Sequence, residues 1–591
     1  MVIMLDRSEH IKLLDLELKA QSDNYLKLIL QKATALIEQE EVFTSQFVKF
    51  EDGILILKFK TERALPRKGQ YLTAVLFNDE KRSYKNWGDL SWAELRNKYQ
   101  NSFSECVCVW HRSYDEKGFQ LAGFKGVSLD FAGKLVDKCL VTLGPHEPPL
   151  KYLQNLIEII SNTPKDTPSA RFLDIHLANN EWIPTILDEK RNLSDFIQTQ
   201  LSISDEIIIQ GPPGTGKTYQ MAKLIADLLD KNKSVLATSL TNRSLIELAS
   251  KKFLENHRKN EKIYKTNLTK DEQEELPGLL NSKDIQVISG TLLLSTFYIS
   301  SGFAKEIQDE PPFDFVIVDE ASQALLSMFC AAKKLGKKVI FIGDPYQLPP
   351  VVEVNKDIIE KKNAISFVEG FNTICRNLSI PSFQLTETYR LPTRATKYTG
   401  LFYRNTLVSK ANKKLRFQFP ECGLEFNKYL NPDGGPVLIK SNFSIGNDNP
   451  DFGLFLIMDF LKQLMLIEEK DFKVALIAKT KKAVRAIQKA VTATFGSDDR
   501  ILIETVERIQ GLTCDLTIFF IPNSSMNYSL KKPLFNVATS RATRHTIIIA
   551  DKAITKYPIA DKLVRDFIQK LNDEFSFEIE PKINMKRLTE G

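Results

Sequence analysis

Histidine, paired cysteine and long uncharged apolar runs are scarce in this sequence, and each shortage excludes something. Six histidines stand among 591 residues and none is grouped with cysteines, so no zinc site is expected, and His545 reads as a packing or surface residue rather than a catalytic one. Seven cysteines make an odd count. Their one close pair, Cys106 and Cys108, alternates within a strand-like run, which fits a reducing compartment better than a disulfide framework. No apolar stretch reaches membrane-spanning length without charges, and Met1 to Asp6 leads straight into charged helix with no secretory pattern. The expectation is a cytoplasmic protein with no membrane contact. Charge of one sign is also in short supply. A formal net +6 permits a polyanionic partner but does not demand one.

What is present is the composition of a folded chain, 43% hydrophobic and 26% charged, at a length that predicts about three or four domains. The chain is organised around one stretch. The buried-strand run Ile207-Ile208-Ile209-Gln210 leads into Gly211-Pro212-Pro213-Gly214-Thr215-Gly216-Lys217-Thr218, and an apolar-periodic helix follows from Tyr219. Glycines let successive backbone N–H groups face a phosphate, Lys217 reaches the β and γ phosphates, and the Thr218 hydroxyl can hold Mg²⁺. The helix start adds its positive end. ATP and Mg²⁺ are the expected cofactors. The loop fixes a nucleotide site and leaves its work open, since small-molecule kinases, GTPases and assembly ATPases share it.

Two further strand ends supply chemistry. Phe315 to Val318 runs into Asp319-Glu320, where Asp319 can hold Mg²⁺ and Glu320 can orient the attacking water. Lys338 to Ile342 runs into Gly343-Asp344-Pro345-Tyr346-Gln347, where Gln347 can report on the γ-phosphate. These complete one α/β domain with a parallel sheet. A second set of strand candidates, 474–478, 501–503, 516–520 and 546–550, has no phosphate loop of its own but carries Arg390 and Arg541. Guanidinium groups reaching a nucleotide from the far side act only when the cleft shuts. Each arginine alone would equally suit a surface ion pair.

Around this core, residues 9 to 38 read as one long helix with Leu26, Ile29, Leu30, Ala33 and Ile37 as its apolar stripe. From about 42 to 125 the period becomes two, in five short strands separated by turns at Asp52-Gly53, Pro66 to Gly69 and Lys117-Gly118, which predicts a small antiparallel barrel. Trp110 and Tyr114 could stack on bases there, or simply pack. Tyr152, Leu153, Leu156 and Ile159 mark another helix. The mixed charges of 251–285 read as a solvated insertion, with Ile285 to Ile288 resuming the sheet. Pro558 to Leu571 reads as an amphipathic helix before a charged tail.

The ordered set of blocks resembles the superfamily 1B helicases, in the group of the nonsense-mediated decay helicase and its senataxin-like relatives. Besides the strand ends above, it comprises Thr241-Asn242, Ser289-Gly290-Thr291, Leu385 to Arg390, Phe402-Tyr403, Thr505 to Gly511, and Phe535 to Ala542. The resemblance implies two RecA-like α/β domains in tandem, with parallel sheets, an N-terminal helical stalk and the small barrel. Its expected segments are 1–40 (stalk), 41–130 (barrel), 131–185 (stalk and linker), 186–380 and 381–560 (the two RecA-like domains), and 561–591 (tail). It further implies ATP held between the two domains and single-stranded DNA or RNA across their top, traversed toward the 3′ end. Lys217, Thr218, Asp319, Glu320, Gln347, Arg390, Gly511 and Arg541 would serve the nucleotide cycle. Thr241, Asn242, Ser289, Gly290, Thr291, Thr480 and Thr505 would touch the strand with little sequence preference.

Some positions depart from the family pattern. Leu187 to Arg191 offers no adenine-reading glutamine, Thr513 stands where relatives carry glutamate, Lys479-Thr480-Lys481 replaces Thr-Pro-Tyr, and Thr539-Ser540-Arg541 replaces Leu-Thr-Arg. The expected protein is a bare monomeric motor directed by a separate protein partner. Other readings compatible with the residues are an ATPase that remodels protein–nucleic acid complexes or senses foreign nucleic acid, a phosphate-loop enzyme acting on a small molecule, and a nucleotide-gated scaffold.

Overall fold

Runs of isoleucine, valine and leucine that end in glycine, acid or hydroxyl residues suit strands buried on both faces. The computed structural model describes residues 3–78, 87–114, 116, 118–178, 182–187, 192–308, 310–360, 364–419, 426–443, 451–467, 469, 471–496 and 498–579. Lys117, Asp188 to Arg191 and the last twelve residues, 580–591, of the charged tail lie outside them.

Nine strands form the first sheet, in the order Leu280–Ser282, Ile263–Thr266, Leu292–Thr296, Val235–Ser239, Phe313–Val318, Gly336–Gly343, Glu206–Gln210, Ser382–Gln384 and Thr185–Ile186. Every pairing is parallel. Alternate residues feed two cores: Ile208, Leu236, Leu293, Val316 and Phe341 on one face, Ile207, Ile209, Ala237, Ile317 and Ile342 on the other. The second sheet has six strands, again all parallel, in the order Ile501–Thr505, Val474–Ala478, Cys514–Ile521, Ala542–Asp551, Gly435–Ser441 and Ser576–Glu578. Tandem parallel α/β sheets are thus the architecture.

Between Phe43 and Pro145 six strands close into an antiparallel barrel, in the order Phe43–Glu51, Ile54–Lys60, Phe119–Lys125, Gln100–Ser113, Tyr71–Phe77 and Leu140–Pro145. Its own core gathers Leu55, Leu57, Phe59, Phe124 and Val141. The closing strand lies past residue 130. Trp110 lies flat over the backbone of Gly123, where a Cβ would stand 2.2 Å from the ring, so it packs on the barrel wall.

Several expectations need correction. The N-terminal helix ends at Ile29 and a separate short helix runs Ala33–Glu38; Leu26 and Leu30 are exposed, and the buried face is His10, Leu13, Leu14 and Glu17. Ile29, Ala33 and Ile37 of the expected stripe pack on the cluster of Trp87, Trp92 and Leu95, while the face buried by the first turns went unread because it carries a histidine and a glutamate. That helix packs with Leu150–Asn162 into the core of the first sheet. The charged stretch 251–285 is no solvated loop, since it adds strands Ile263–Thr266 and Leu280–Ser282 to the sheet edge. Lys265 is fully buried there, with its ammonium 3.0 Å from the Glu272 carboxylate. Val287 and Ile288 are exposed loop residues, and the sheet resumes at Leu292. Ser382–Gln384 belongs to the first sheet although it follows residue 380, and Ser576–Glu578 returns the segment after 561 to the second sheet.

Candidate nucleotide cleft and strand track

The phosphate-loop strand Glu206–Gln210 is central and wholly buried, so the loop Gly211 to Gly216 leaves it from the carboxyl edge of the sheet and feeds the helix Lys217–Asp230. Gly214 and Gly216 have φ of 74° and 73°, the left-handed region that favours glycine. A Cβ on Gly214 would stand 2.4 Å from Arg390 Cβ, so the loop and the segment bearing Arg390 need that hydrogen to approach. Thr215 Oγ1 donates to Pro212 O at 2.9 Å and Lys217 Nζ to Gly211 O at 2.6 Å, closing the loop on itself. Thr218, half-buried, follows Lys217 in the first turn of the helix. Burial pushes the Lys217 ammonium pKa down, while the Asp344 and Asp319 carboxylates oppose the shift.

Parallel pairing brings three more strand ends to the same edge. Asp319 donates its N–H to Thr238 O at 2.9 Å, and its Oδ1 accepts the N–H of Glu320 at 2.9 Å. Glu320 holds φ 51° and ψ 39°. Burial and the adjacent Asp319 carboxylate raise the Glu320 pKa to about 7, with Lys217 and Arg541 opposing. Asp319 is raised as well, by burial. Gln347 Nε2 donates to Asp344 Oδ2 at 2.9 Å, so it is tied to the loop that leaves the strand Gly336–Gly343.

From the second half come the cations. Arg390 Nη1 donates to Ser540 O at 3.3 Å. Arg541 is 2% exposed; its Nε donates to Val537 O at 3.0 Å and its buried Nη2 has no hydrogen-bond partner. Burial and the neighbouring Arg390 charge press the Arg541 pKa down to about 9, and the Glu320 carboxylate opposes them. A buried guanidinium with an unmet donor, facing a carboxylate and a phosphate loop, suits a polyanion such as a triphosphate. Among the described residues no group of three or more His, Cys, Asp or Glu could hold a metal ion. Thr218 and Asp319 suit Mg²⁺, which is commonly held by one or two protein groups together with substrate phosphates.

Two of the expected groupings come apart. Gly511 has φ 83° and open space around it, and no contact places it against the phosphate loop. Ser289, Gly290 and Thr291 precede the strand Leu292–Thr296, so they lie at the amino edge of the sheet, opposite the loop, with Gly290 against Asn232. The hydroxyls at the carboxyl end of that strand are Ser295 and Thr296, beside Ser239. Thr241 caps the helix Asn242–Ala249 at the carboxyl edge, accepting from Ser244 N at 3.3 Å, and Asn242 begins that helix. Thr480 caps Lys481–Phe495 and Thr505 ends Ile501–Thr505, both at the carboxyl edge of the second sheet.

The sequence reading assigned no role to a buried bridge between the sheets. Tyr403 Oη donates to Asp344 Oδ2 at 2.6 Å and accepts from Asn536 Nδ2 at 2.8 Å, and the same amide donates to Tyr346 O at 2.9 Å. Thr388 Oγ1 donates to Pro213 O at 2.9 Å. All these residues lie in the quoted blocks, but only side-chain placement shows that they meet.

The site thus combines a phosphate loop, an acid pair and two buried arginines from the later part of the chain, the donor set of a nucleotide-binding cleft. Residues 249–354 and 369–553 each match a family described as "AAA domain". The relatives that the chain resembles include proteins named as helicases. The chain is 27% identical over 398 residues to the chicken (Gallus gallus) DNA replication ATP-dependent helicase/nuclease DNA2, spanning 61% of this chain and 36% of that protein. It is 28% identical over 247 residues to the Saccharomyces cerevisiae protein of the same name, spanning 40% of this chain and 16% of the relative. With the putative helicase mov-10-B.2 of Danio rerio it shares 22% identity over 422 residues, 59% of this chain and 40% of that one. The matches thus span less than half the length of these relatives. The solved structure of Arterivirus nonstructural protein 10 (helicase) aligns over 84% of this chain and 78% of its own at 14% identity, with a TM-score of 0.34.

Proposed function

We propose that the protein is an ATP-dependent helicase or translocase that moves 5′ to 3′ along single-stranded DNA or RNA. The observation that carries the reading is the meeting, in one cleft, of Lys217 and Glu320 at strand ends of the first sheet with Arg390, whose segment packs on the phosphate loop, and Arg541, which leads into a strand of the second sheet. In this reading residues 186–380 and 381–560 are the two motor domains, with the barrel of 41–130 and its closing strand as an accessory module on helical stalks.

The loop N–H groups from Gly211 to Gly216, with Pro212 and Pro213 shaping the turn, would cradle the phosphates, and Lys217 would neutralise them. Thr218 and Asp319 would hold Mg²⁺, which supplies charge neutralisation on the phosphates when bound. Glu320 would accept a proton from the attacking water. Arg390 and Arg541 would stabilise charge on the transferring group once the sheets close. Gln347 would relay the γ-phosphate state, and Gly511 would let its turn approach the nucleotide on closure. Thr241, Asn242, Thr296, Thr480 and Thr505 would line the strand track along both carboxyl edges. Closure driven by differential binding would convert hydrolysis into a step.

The test is steady-state ATP hydrolysis without polymer, with single-stranded DNA and with single-stranded RNA, alongside Glu320→Gln. Stimulation by a polymer in the parent, and turnover lower by about 10²–10⁴-fold in Glu320→Gln with ATP still bound, is the expected result. Hydrolysis indifferent to both polymers would overturn the motor reading.

A further inference from the structure

Away from the nucleotide cleft, the charged stretch 251–285 carries a helix of six residues, Lys270–Glu275, between the two strands it adds to the first sheet. The helix is fixed on its sheet side. Glu272 pairs with the buried Lys265 and accepts the N–H of Thr269 at 3.0 Å, while Thr269 Oγ1 accepts the N–H of Glu272 at 3.4 Å. The last turn is tied toward the strand track, since Arg243, on the helix that Asn242 begins, donates from Nη1 to Glu275 Oε1 at 2.9 Å. The first turn meets the barrel. The hairpin joining Phe43–Glu51 to Ile54–Lys60 turns at Asp52 and Gly53, with φ of 51° and 69°. A Cβ on Gly53 would stand 3.0 Å from Asp271 Cβ and 3.3 Å from its backbone nitrogen, so the bare glycine lets the two segments touch. Beside it, Lys125 Nζ lies 3.7 Å from Asp271 Oδ2.

The apolar residues behind this contact belong to separate cores, Leu276 and Leu279 to the first sheet and Leu55 and Phe124 to the barrel. One ion pair and one glycine contact are weak enough to part with both sides still folded. The barrel has other anchors: the stalk helices sink into the core of the first sheet, and toward the second domain Lys68 pairs with Asp499 at 2.9 Å and Glu40 with Arg485 at 3.6 Å. Between these anchors the barrel stands clear of the sheets. Tyr71, on its outer face, is 62% exposed. Enough protein surrounds the phenol to raise its pKa, with Arg508 of the second domain opposing the rise and Glu272 of the short helix adding to it. Tyr298, two residues past Thr296, has its pKa raised by burial and then by Tyr71. Tyr71 thus faces open space that both sheet domains and the short helix border, as a roof over the carboxyl edges.

We propose that the contact of Gly53 and Lys125 with Asp271 is a releasable latch that closes the barrel over the strand track, so that a strand without free ends enters only when the latch opens. The inference rests on the reading that the carboxyl edges carry a strand. It gives the charged insertion a role: the strand is retained by enclosure rather than by affinity. Opening the latch therefore speeds arrival and departure together, whereas losing a strand contact speeds departure alone.

The experiment compares the full-length parent with Lys125→Glu, Asp271→Lys and the exchange Lys125→Glu/Asp271→Lys, by stopped flow on a fluorescent single strand in DNA and in RNA. The strand, of roughly 60 nucleotides against the roughly 4–16 of a single-strand site, is used as a covalent circle and as the same sequence with free ends. Each single substitution sets like charges against each other at the latch. Both should raise association with the circle and dissociation from it several-fold, with little change in affinity, and the linear strand, which can thread by its ends, should change little. The two singles alter the protein's charge in opposite directions, so a shared effect excludes a charge contact with the strand. The exchange restores the pair with its roles reversed and should return both rates to parental values. Parental circle rates in both singles, with thermal unfolding showing them folded, would overturn the latch, as would faster departure in Lys125→Glu alone. If the linear strand still stimulates parental hydrolysis, only the latch is then wrong; if no strand binds or stimulates the parent, the motor reading has failed first.

Discussion

Glu320 is held at φ 51° in the left-handed region, a backbone placement that costs a non-glycine residue roughly 1–3 kcal/mol. Burial, and after it the adjacent Asp319 carboxylate, raises its pKa to about 7. As a base it must be ionised, so kcat/KM for ATP should rise with pH, roughly tenfold per unit below about 7, and level off above. Stability runs the other way. The folded chain keeps a proton that an unfolded glutamate releases near 4.5, so this residue's contribution to stability falls as pH rises from about 4.5 through about 7. A pH-rate profile of the parent beside Glu320→Gln checks the point, and a parental profile as flat as the variant's would remove Glu320 as the base. At this scale the sequence was most readable where chemistry dictates spacing, as in Gly211 to Thr218 and Asp319-Glu320. It was least readable for Ser289 to Thr291, because the hydroxyls of 289–291 and of 295–296 look alike until the strand start fixes which edge each occupies.

Strands buried on both faces announced themselves through continuous apolar runs, and those of both sheets around 207–210, 315–318, 474–478 and 516–520 appear near their read boundaries. Gly435–Ser441 went unread although it is central to the second sheet, because Gly-Gly-Pro before its short apolar run looks like a turn. The N-terminal helix was misread for a reason with consequences. Its buried Glu17 accepts the N–H of Glu353 at 2.9 and 2.8 Å and the N–H of Val354 at 2.9 Å, with Gln21 Nε2 donating at 2.6 Å. The acid therefore clasps the segment just past Gly343 to Pro350, tying a helix that leads into the barrel to the loop bearing Gln347. Glu17→Ala would leave two N–H groups without an acceptor, at about 1–3 kcal/mol each where they stay buried. We expect a lower melting temperature and, under conditions where the variant is folded, more ATP consumed per base pair separated. Unchanged melting and coupling would make the clasp incidental.

At the scale of the whole molecule, the buried Asp344–Tyr403–Asn536 chain links the first sheet to the core of the second domain. Asp344 leaves the strand beside the phosphate loop, Tyr403 is buried in the core of the second domain, and Asn536 lies on the helix that runs to Arg541. Burial raises the Asp344 pKa, and Lys217 and the hydrogen bond from Tyr403 oppose that shift. Tyr403→Phe removes one hydroxyl that both donates and accepts, with little change of volume, and leaves Asp344 and Asn536 each short of a partner. If the bridge transmits closure, basal hydrolysis should survive while stimulation by single-stranded polymer drops several-fold, since the strand can then no longer bring Arg541 to the nucleotide. Measuring kcat with and without saturating polymer separates the cases. An equal fall in both rates would mean the tyrosine only supports the fold of the cleft, and parental values of both rates would place the coupling in the contact of Arg390 and Thr388 with the phosphate loop instead.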